Sequence, residues 1–153
     1  MSDFSSFKPS EESYGLLFWQ TFSLWNRKVK DALKPYKLSH TQFVILNVIA
    51  YLKEKQTYVS QKDVSYLSKV DVMTVSTCLK TLIKNGYVVS EVNKHDPRAN
   101  TLSLTSEGYT VQKKVIKVVE DIDRSFFEIK GLDTQQFMNA LHNIKDHNSD
   151  HES

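Results

Sequence analysis

Residues 60–86 read SQKDVSYLSKVDVMTVSTCLKTLIKNG, and this stretch decides the fold. Ser60 followed by Asp63 starts a helix, because the hydroxyl caps a first-turn N–H while the N3 side chain reaches back. The short helix it opens carries Val64 and Leu67 and runs to about Ser68. Lys69-Val70 makes a brief turn, and Asp71 caps a second helix. In that helix Val75, Cys78, Leu79, Leu82 and Ile83 recur at i, i+3, i+4, i+7 and i+8, the helical period. Gly86 stands where a left-handed residue ends a helix. Two helices joined by a turn of about three or four residues, the second amphipathic and stopped by glycine, read as a helix-turn-helix.

The flanks complete the pattern. Downstream, Tyr87–Val92 is rich in β-formers, and Thr101–Leu104 alternates polar and apolar residues. The polar, Pro-containing segment 93–100 between them suits a hairpin tip, so this is a wing. Thr105 then opens a long helix to about Lys130, with Val111, Val115, Val118, Val119, Ile122, Phe126 and Phe127 expected inside. Gly131 breaks it, and Asp133-Thr134-Gln135-Gln136 caps a last helix carrying Phe137, Leu141 and Ile144. The polar tail after Asp146 is expected to fray.

Upstream, Ser39 and Gln42 form a capping box. The helix behind it, with Phe43, Val44, Ile45, Leu46, Val48, Ile49 and Leu52, is apolar almost all round and should lie centrally. A first helix from about Glu11 to Leu33, ended by Pro35, carries Leu16, Leu17, Trp19, Phe22, Leu24, Trp25, Val29 and Leu33. These cover more than one stripe, so the helix packs on two sides, and a second copy of the chain is a natural candidate for one of them. Residues 1–10 read as a loose Ser-rich leader. The predicted fold class is mainly α with a small β-hairpin wing.

Composition agrees. The chain has 153 residues, 40% hydrophobic and 25% charged, within the range of one soluble domain. Four glycines and three prolines favour long helices over a many-turned β fold. The net charge of +2 neither demands nor excludes nucleic acid, so the distribution of charge must decide. A single cysteine excludes an internal disulfide framework and fits a reducing cytoplasm. The start Met1-Ser2-Asp3-Phe4 lacks a signal-peptide layout, and no apolar run approaches membrane length. The expectation is a cytoplasmic protein without a membrane span.

Asp96-Pro97-Arg98 followed by Leu104-Thr105-Ser106-Glu107-Gly108 resembles the D-x-R…L-T-x-x-G wing signature of the MarR family. Met73-Thr74-Val75-Ser76, then Leu79, Leu82 and Asn85-Gly86-Tyr87-Val88, is similar to that family's recognition helix and its exit. The resemblance covers about residues 11–147 as a single domain. It implies a DNA-binding lobe at about 38–105 and dimerisation helices at about 11–34 and 106–147. It implies further a sequence-specific DNA-binding transcriptional regulator, a ligand-responsive repressor acting as a homodimer on double-stranded DNA. Arg98 resembles the arginine that enters the minor groove, Asp96 the carboxylate that holds it, and Lys94 is placed to touch phosphate. Where many relatives carry arginines this chain has Thr77, Thr81 and Ser90, which moves specificity toward DNA shape.

The residues themselves agree with that reading. Thr74, Ser76, Thr77, Lys80, Thr81 and Lys84 fall opposite the apolar face of the second helix, where hydroxyls and ammonium groups reach phosphates and base edges. The helix N-terminus is expected to add its own attraction for phosphate. The alternative is a winged-helix adaptor that binds protein without specific DNA recognition. Trp25, His40 and Phe43 read first as core by their spacing, although the resemblance allows them to line a small-molecule effector pocket. His40 is equally a polar cap. Cys78, on the apolar face, reads as an inert small hydrophobe rather than a redox sensor. His142, His147, Asp150 and His151 have poor helical spacing for a metal and read as a solvated tail. Phosphate-loop and hydrolase motifs are absent, so neither an enzyme nor a cofactor is expected.

Overall fold

The protein is described by a computed structural model, which covers residues 13–96 and 100–149. Two compact units meet between Val119 and Glu120.

The first unit begins with α1 (Tyr14–Leu33), whose first turn is capped by the Ser13 hydroxyl accepting from Leu16 N at 3.2 Å. A 3₁₀ turn at Lys34–Tyr36 holds Pro35, where φ is preset and no N–H is needed, and Lys37 leaves it at φ 59°. Next come α2 (His40–Lys55), α3 (Gln61–Ser68) and α4 (Val72–Lys84). Both expected capping boxes form. Ser39 Oγ accepts from Gln42 N and Gln42 Oε1 from Ser39 N, each at 3.1 Å, while Ser60 and Asp63 exchange the same pair at 3.0 Å.

Helix α2 packs on α1, α3, α4 and on the second strand of the hairpin, as its nearly all-round apolar sequence required. Ile45, Leu46 and Ile49 of α2 are fully buried, as are Val29 and Leu33 of α1, Val64 of α3, and Val75 and Leu82 of α4. Burying each such side chain contributes roughly 1.5–3 kcal/mol.

The hairpin is β1 (Val88–Val92) and β2 (Asn100–Leu104), antiparallel, with Val88 opposite Leu104 and Val92 opposite Asn100. Val59, from the segment between α2 and α3, joins its edge. Leu102 N donates to Val59 O at 2.8 Å, and Val59 N donates to the buried Thr101 hydroxyl at 3.0 Å. That link ties the wing to the helical core across 42 residues of chain. α5 (Ser106–Phe127) follows, with Val115 and Val119 buried and Gln112 Nε2 donating to Asn47 Oδ1 of α2 at 2.9 Å.

The second unit contains the end of α5 and α6 (Thr134–Ser149). Asp133 Oδ1 accepts from Gln135 N and Gln136 N and starts α6 as expected. Phe127 stacks on Phe137 at 5.4 Å between ring centroids.

Several expectations are corrected. α5 ends at Phe127 rather than near Lys130, because Ile129 N turns back to Phe127 O and Gly131 takes φ 90°. α6 continues past Asp146 to Ser149 instead of fraying. Leu67 and Ile83, expected inside, are 43% and 42% exposed. α3 is too short to bury more than Val64, and Ile83 lies on the flank of α4 toward the hairpin rather than on the core. Val111, Val118, Ile122, Phe126 and Phe127 are half-buried, since α5 presents only a narrow fully covered stripe.

Candidate nucleic-acid interface

The turn between α3 and α4 is built from local polar contacts. Lys69 caps α3 in the left-handed region at φ 65°, Ser65 Oγ donates to Val70 O at 2.6 Å, and Val70 N donates to Ser68 Oγ at 3.1 Å. Asp71 then starts α4, accepting from Thr74 N at 3.0 Å and from Thr74 Oγ1 at 2.6 Å. The hydroxyl and amide of Thr74 hold the Asp71 carboxyl below its ordinary value, so it is ionised at neutral pH. The positive end of α4 is therefore already met by a carboxylate.

Val75, Cys78, Leu79 and Leu82 face the core, which leaves Met73, Thr77, Lys80 and Lys84 as an exposed stripe on the far side at i, i+4, i+7 and i+11. Thr74 flanks it and is also exposed. Of the sequence-predicted residues, Thr74, Thr77, Lys80 and Lys84 thus share one accessible surface, whereas Ser76 and Thr81 are half-buried on its two flanks and do not point fully outward. Met73, 81% exposed, was not among the predicted contacts, although its spacing from Thr77 could have found it.

On the Ser76 flank lies a groove of about 360 Å³. It runs between the start of α3 (Gln61, Lys62), α4 (Ser76, Lys80, Ile83) and the hairpin (Asn100). Lys62 and Lys80 give this groove a positive character. Sequence reading passed over Gln61 and Lys62, because their proximity to α4 is tertiary.

A second joint, at the base of the hairpin, orients the wing. Gly86 ends α4 at φ 81°, and Tyr87 N donates to Leu82 O at 2.9 Å. Thr105 Oγ1 donates to Gly86 O at 2.5 Å and accepts from Gly108 N at 2.9 Å, while Thr105 N donates to Tyr87 O at 3.0 Å. A Cβ on Gly108 would lie 2.0 Å from Tyr87 O, so only glycine permits this approach. The L-T-x-x-G motif is thus a clamp that fixes the hairpin between the ends of α4 and α5. At the hairpin's far end Asn93 Oδ1 accepts from His95 N and Asp96 N at 2.8 and 3.2 Å, shaping the start of the tip. Lys94 is exposed and Asp96 half-buried. Arg98 lies outside the described residues, as do Asp150 and His151.

Trp25, His40 and Phe43 do come together. The Trp25 and His40 rings meet edge-on at 4.8 Å, His40 and Phe43 at 6.4 Å, and His40 Nδ1 meets Asn26 Oδ1 at 2.5 Å. They form a joint between α1 and α2, with Phe43 buried and the other two half-buried. Cys78 is buried, and desolvation pushes its thiol above the ordinary value, which disfavours the reactive thiolate. His142 and His147 are exposed on α6, and no cluster of metal-ligating side chains occurs among the described residues. No helix among them is long and apolar enough to cross a membrane.

This geometry has close parallels. Residues 34–123 match the family of ArnR1-like winged-helix domains. The helix-turn-helix-type transcriptional regulator YdcH of Bacillus subtilis is 34% identical over 143 residues, covering 94% of this chain and 97% of YdcH. Bordetella bronchiseptica BpsR, in a structure concerned with regulation of its DNA binding by 6-hydroxynicotinic acid, superposes with a TM-score of 0.77 at 21% identity, covering 95% of this chain and 99% of BpsR. A MarR variant from E. coli complexed with operator DNA gives 0.76 at 19% identity, covering 95% and 98%. With its helix-turn-helix, clamped wing and similarity over 94% of its length to a transcriptional regulator, the chain belongs to the ArnR1-like winged-helix family and the helix-turn-helix-type transcriptional regulators, and it shares the fold of the MarR structures.

Proposed function

We propose that the chain is a cytoplasmic homodimeric repressor that binds a specific double-stranded operator and changes its affinity when a small molecule binds. The observation that carries this is the stripe Met73, Thr77, Lys80 and Lys84, exposed diametrically opposite the buried face of α4. A rigid helix with such a face fits the major groove, where its N-terminal residues meet base edges. The clamp at Gly86, Thr105 and Gly108 supports a wing that reaches the adjacent minor groove through Arg98, oriented by Asp96, with Lys94 on phosphate.

Dimerisation is favoured by the exposed aromatic face of α1, where Phe18 and Trp19 are 66% and 64% exposed beside Leu17, Phe22 and Leu24. Apolar surface of this kind marks an interface, and a two-fold pair presents two recognition helices to half-sites one helical turn apart. We assign dimerisation to helices at about 11–34 and 106–147 and DNA binding to the lobe at about 38–105. The effector is assigned to the Trp25, His40 and Phe43 joint, since a ligand prying α1 from α2 would re-aim the lobe that α2 centres. The operator-bound MarR variant and BpsR, whose DNA binding is regulated by a small molecule, support both halves of the reading.

The test is a fluorescence-anisotropy titration against the upstream region of the protein's own gene. Arg98→Ala is expected to cost about 1–3 kcal/mol in DNA affinity with dimerisation intact, and Lys94→Ala to lower the salt slope by about one unit. Equal affinity of Arg98→Ala and wild type at moderate salt would remove the wing assignment and favour a protein-binding adaptor.

A further inference from the structure

The N-terminal half of α4 carries an unusual set of outward groups. Thr74 spends its hydroxyl proton on Asp71, and Thr77 donates its own to Met73 O at 3.1 Å. Met73, one turn before Thr77 at the start of the stripe, has no donor at all. What these three side chains offer outward is therefore a thioether with its methyl, two further methyl groups, and hydroxyl oxygens with acceptor lone pairs. The cations of the stripe, Lys80 and Lys84, lie in its C-terminal half, away from the end that reaches base edges first.

The four base pairs answer this surface differently. Both kinds of pair turn two acceptors and one amino donor into the major groove, N7, O6 and the cytosine N4 group in G·C and N7, O4 and the adenine N6 group in A·T. The apolar group that only A·T adds is therefore what this methyl-rich surface can select. An A·T pair presents the thymine C5-methyl, which prefers an apolar neighbour, and the adenine N6 amino group, which donates to a hydroxyl oxygen. Methionine suits this role because its unbranched, polarisable chain moulds to the methyl it meets.

Resting on the DNA-binding reading above, we infer that Met73, with Thr74 and Thr77, selects A·T base pairs in the operator half-site by seating thymine methyl groups. Met73 is a specificity-determining residue, and the phosphate-touching lysines contribute affinity without this preference. Because Met73 is 81% exposed, its replacement leaves the fold alone.

The experiment uses the full chain and duplexes that it enriches from a pool with a randomised core two helical turns long. Each enriched duplex is remade with deoxyuridine in place of thymidine, one half-site position at a time, which removes only the methyl group. Wild type is expected to bind about fourfold more weakly for each methyl it had buried, the equivalent of one methylene-sized apolar group. Met73→Ala is expected to bind the thymidine duplex more weakly and to lose that sensitivity at one position in each half-site, with the salt slope unchanged. Uridine duplexes bound as tightly as thymidine ones, or a uridine effect of equal size in Met73→Ala, would overturn the inference while leaving specific DNA binding standing. Enrichment of no duplex over the starting pool would overturn it together with the DNA-binding reading.

Discussion

Replacing Gly108 by alanine places a methyl carbon 2.0 Å from the carbonyl oxygen of Tyr87. Neither side can yield by a side-chain rotation, since the obstacle is backbone and Gly108 sits buried in the first turn of α5. The pair must separate by about 1 Å before reaching the 3.0 Å below which Cβ atoms essentially never approach. That movement acts on the bonds holding the joint, Thr105 N to Tyr87 O at 3.0 Å and Thr105 Oγ1 to Gly86 O at 2.5 Å. Stretching the first beyond bonding range and weakening the second costs about 1 kcal/mol each. Residual overpacking adds about 1–3 kcal/mol. Alanine's better helix propensity returns only about 1 kcal/mol. The net expectation is a loss of about 2–4 kcal/mol, or about 1–2 M in the urea midpoint at a slope of about 2 kcal/mol/M. Gly15→Ala is the control. It lies exposed in α1 with nothing within 4 Å of an added Cβ, so it should be neutral or stabilising by up to about 1 kcal/mol. Both are read by urea unfolding followed by circular dichroism at one protein concentration, because any dimer makes the midpoint concentration-dependent. A Gly108→Ala midpoint within about 0.5 kcal/mol of wild type, the ordinary range of surface substitutions, would refute the clamp.

Three further outcomes are expected. Thr101→Val leaves the fully buried Val59 N–H without its acceptor and should cost about 1–3 kcal/mol in urea unfolding, while Thr101→Ser restores most of it. Cys78 in the native protein should resist alkylation by iodoacetamide at neutral pH, and mild peroxide should leave DNA binding of wild type and Cys78→Ser equally intact. The Asp71 carboxyl is lowered, first by the Thr74 hydroxyl, so its contribution is complete above the ordinary carboxylate value and disappears as pH falls through the folded value. Acid unfolding of Asp71→Asn, which still caps, should therefore show a shallower pH dependence than wild type below the carboxylate range.

The sequence by itself determined where the capped helices start, which neighbours within about one helical turn decide. Ser39 with Gln42, Ser60 with Asp63, and Asp71 start helices because a short polar side chain satisfies N–H groups three residues away, whatever the rest of the chain does. Gly86 stops α4 for an equally local reason, the open left-handed region. The apolar period of α4 likewise located its outward residues, and hence Thr74, Thr77, Lys80 and Lys84, in advance. Contacts between distant segments were decided only in the tertiary structure. Val59 reads as loop until Thr101, 42 residues away, accepts its N–H and makes it part of the wing. Gly108 reads as a weak helix residue until Tyr87 O arrives where its Cβ would be. Ile83 fits the apolar period of α4 yet stays exposed, because periodicity gives the direction of a side chain and not what stands in front of it. That Gln61 and Lys62 line a groove with α4 was likewise settled only by folding. Periodicity and capping act along the chain, whereas coverage depends on which surfaces folding brings face to face.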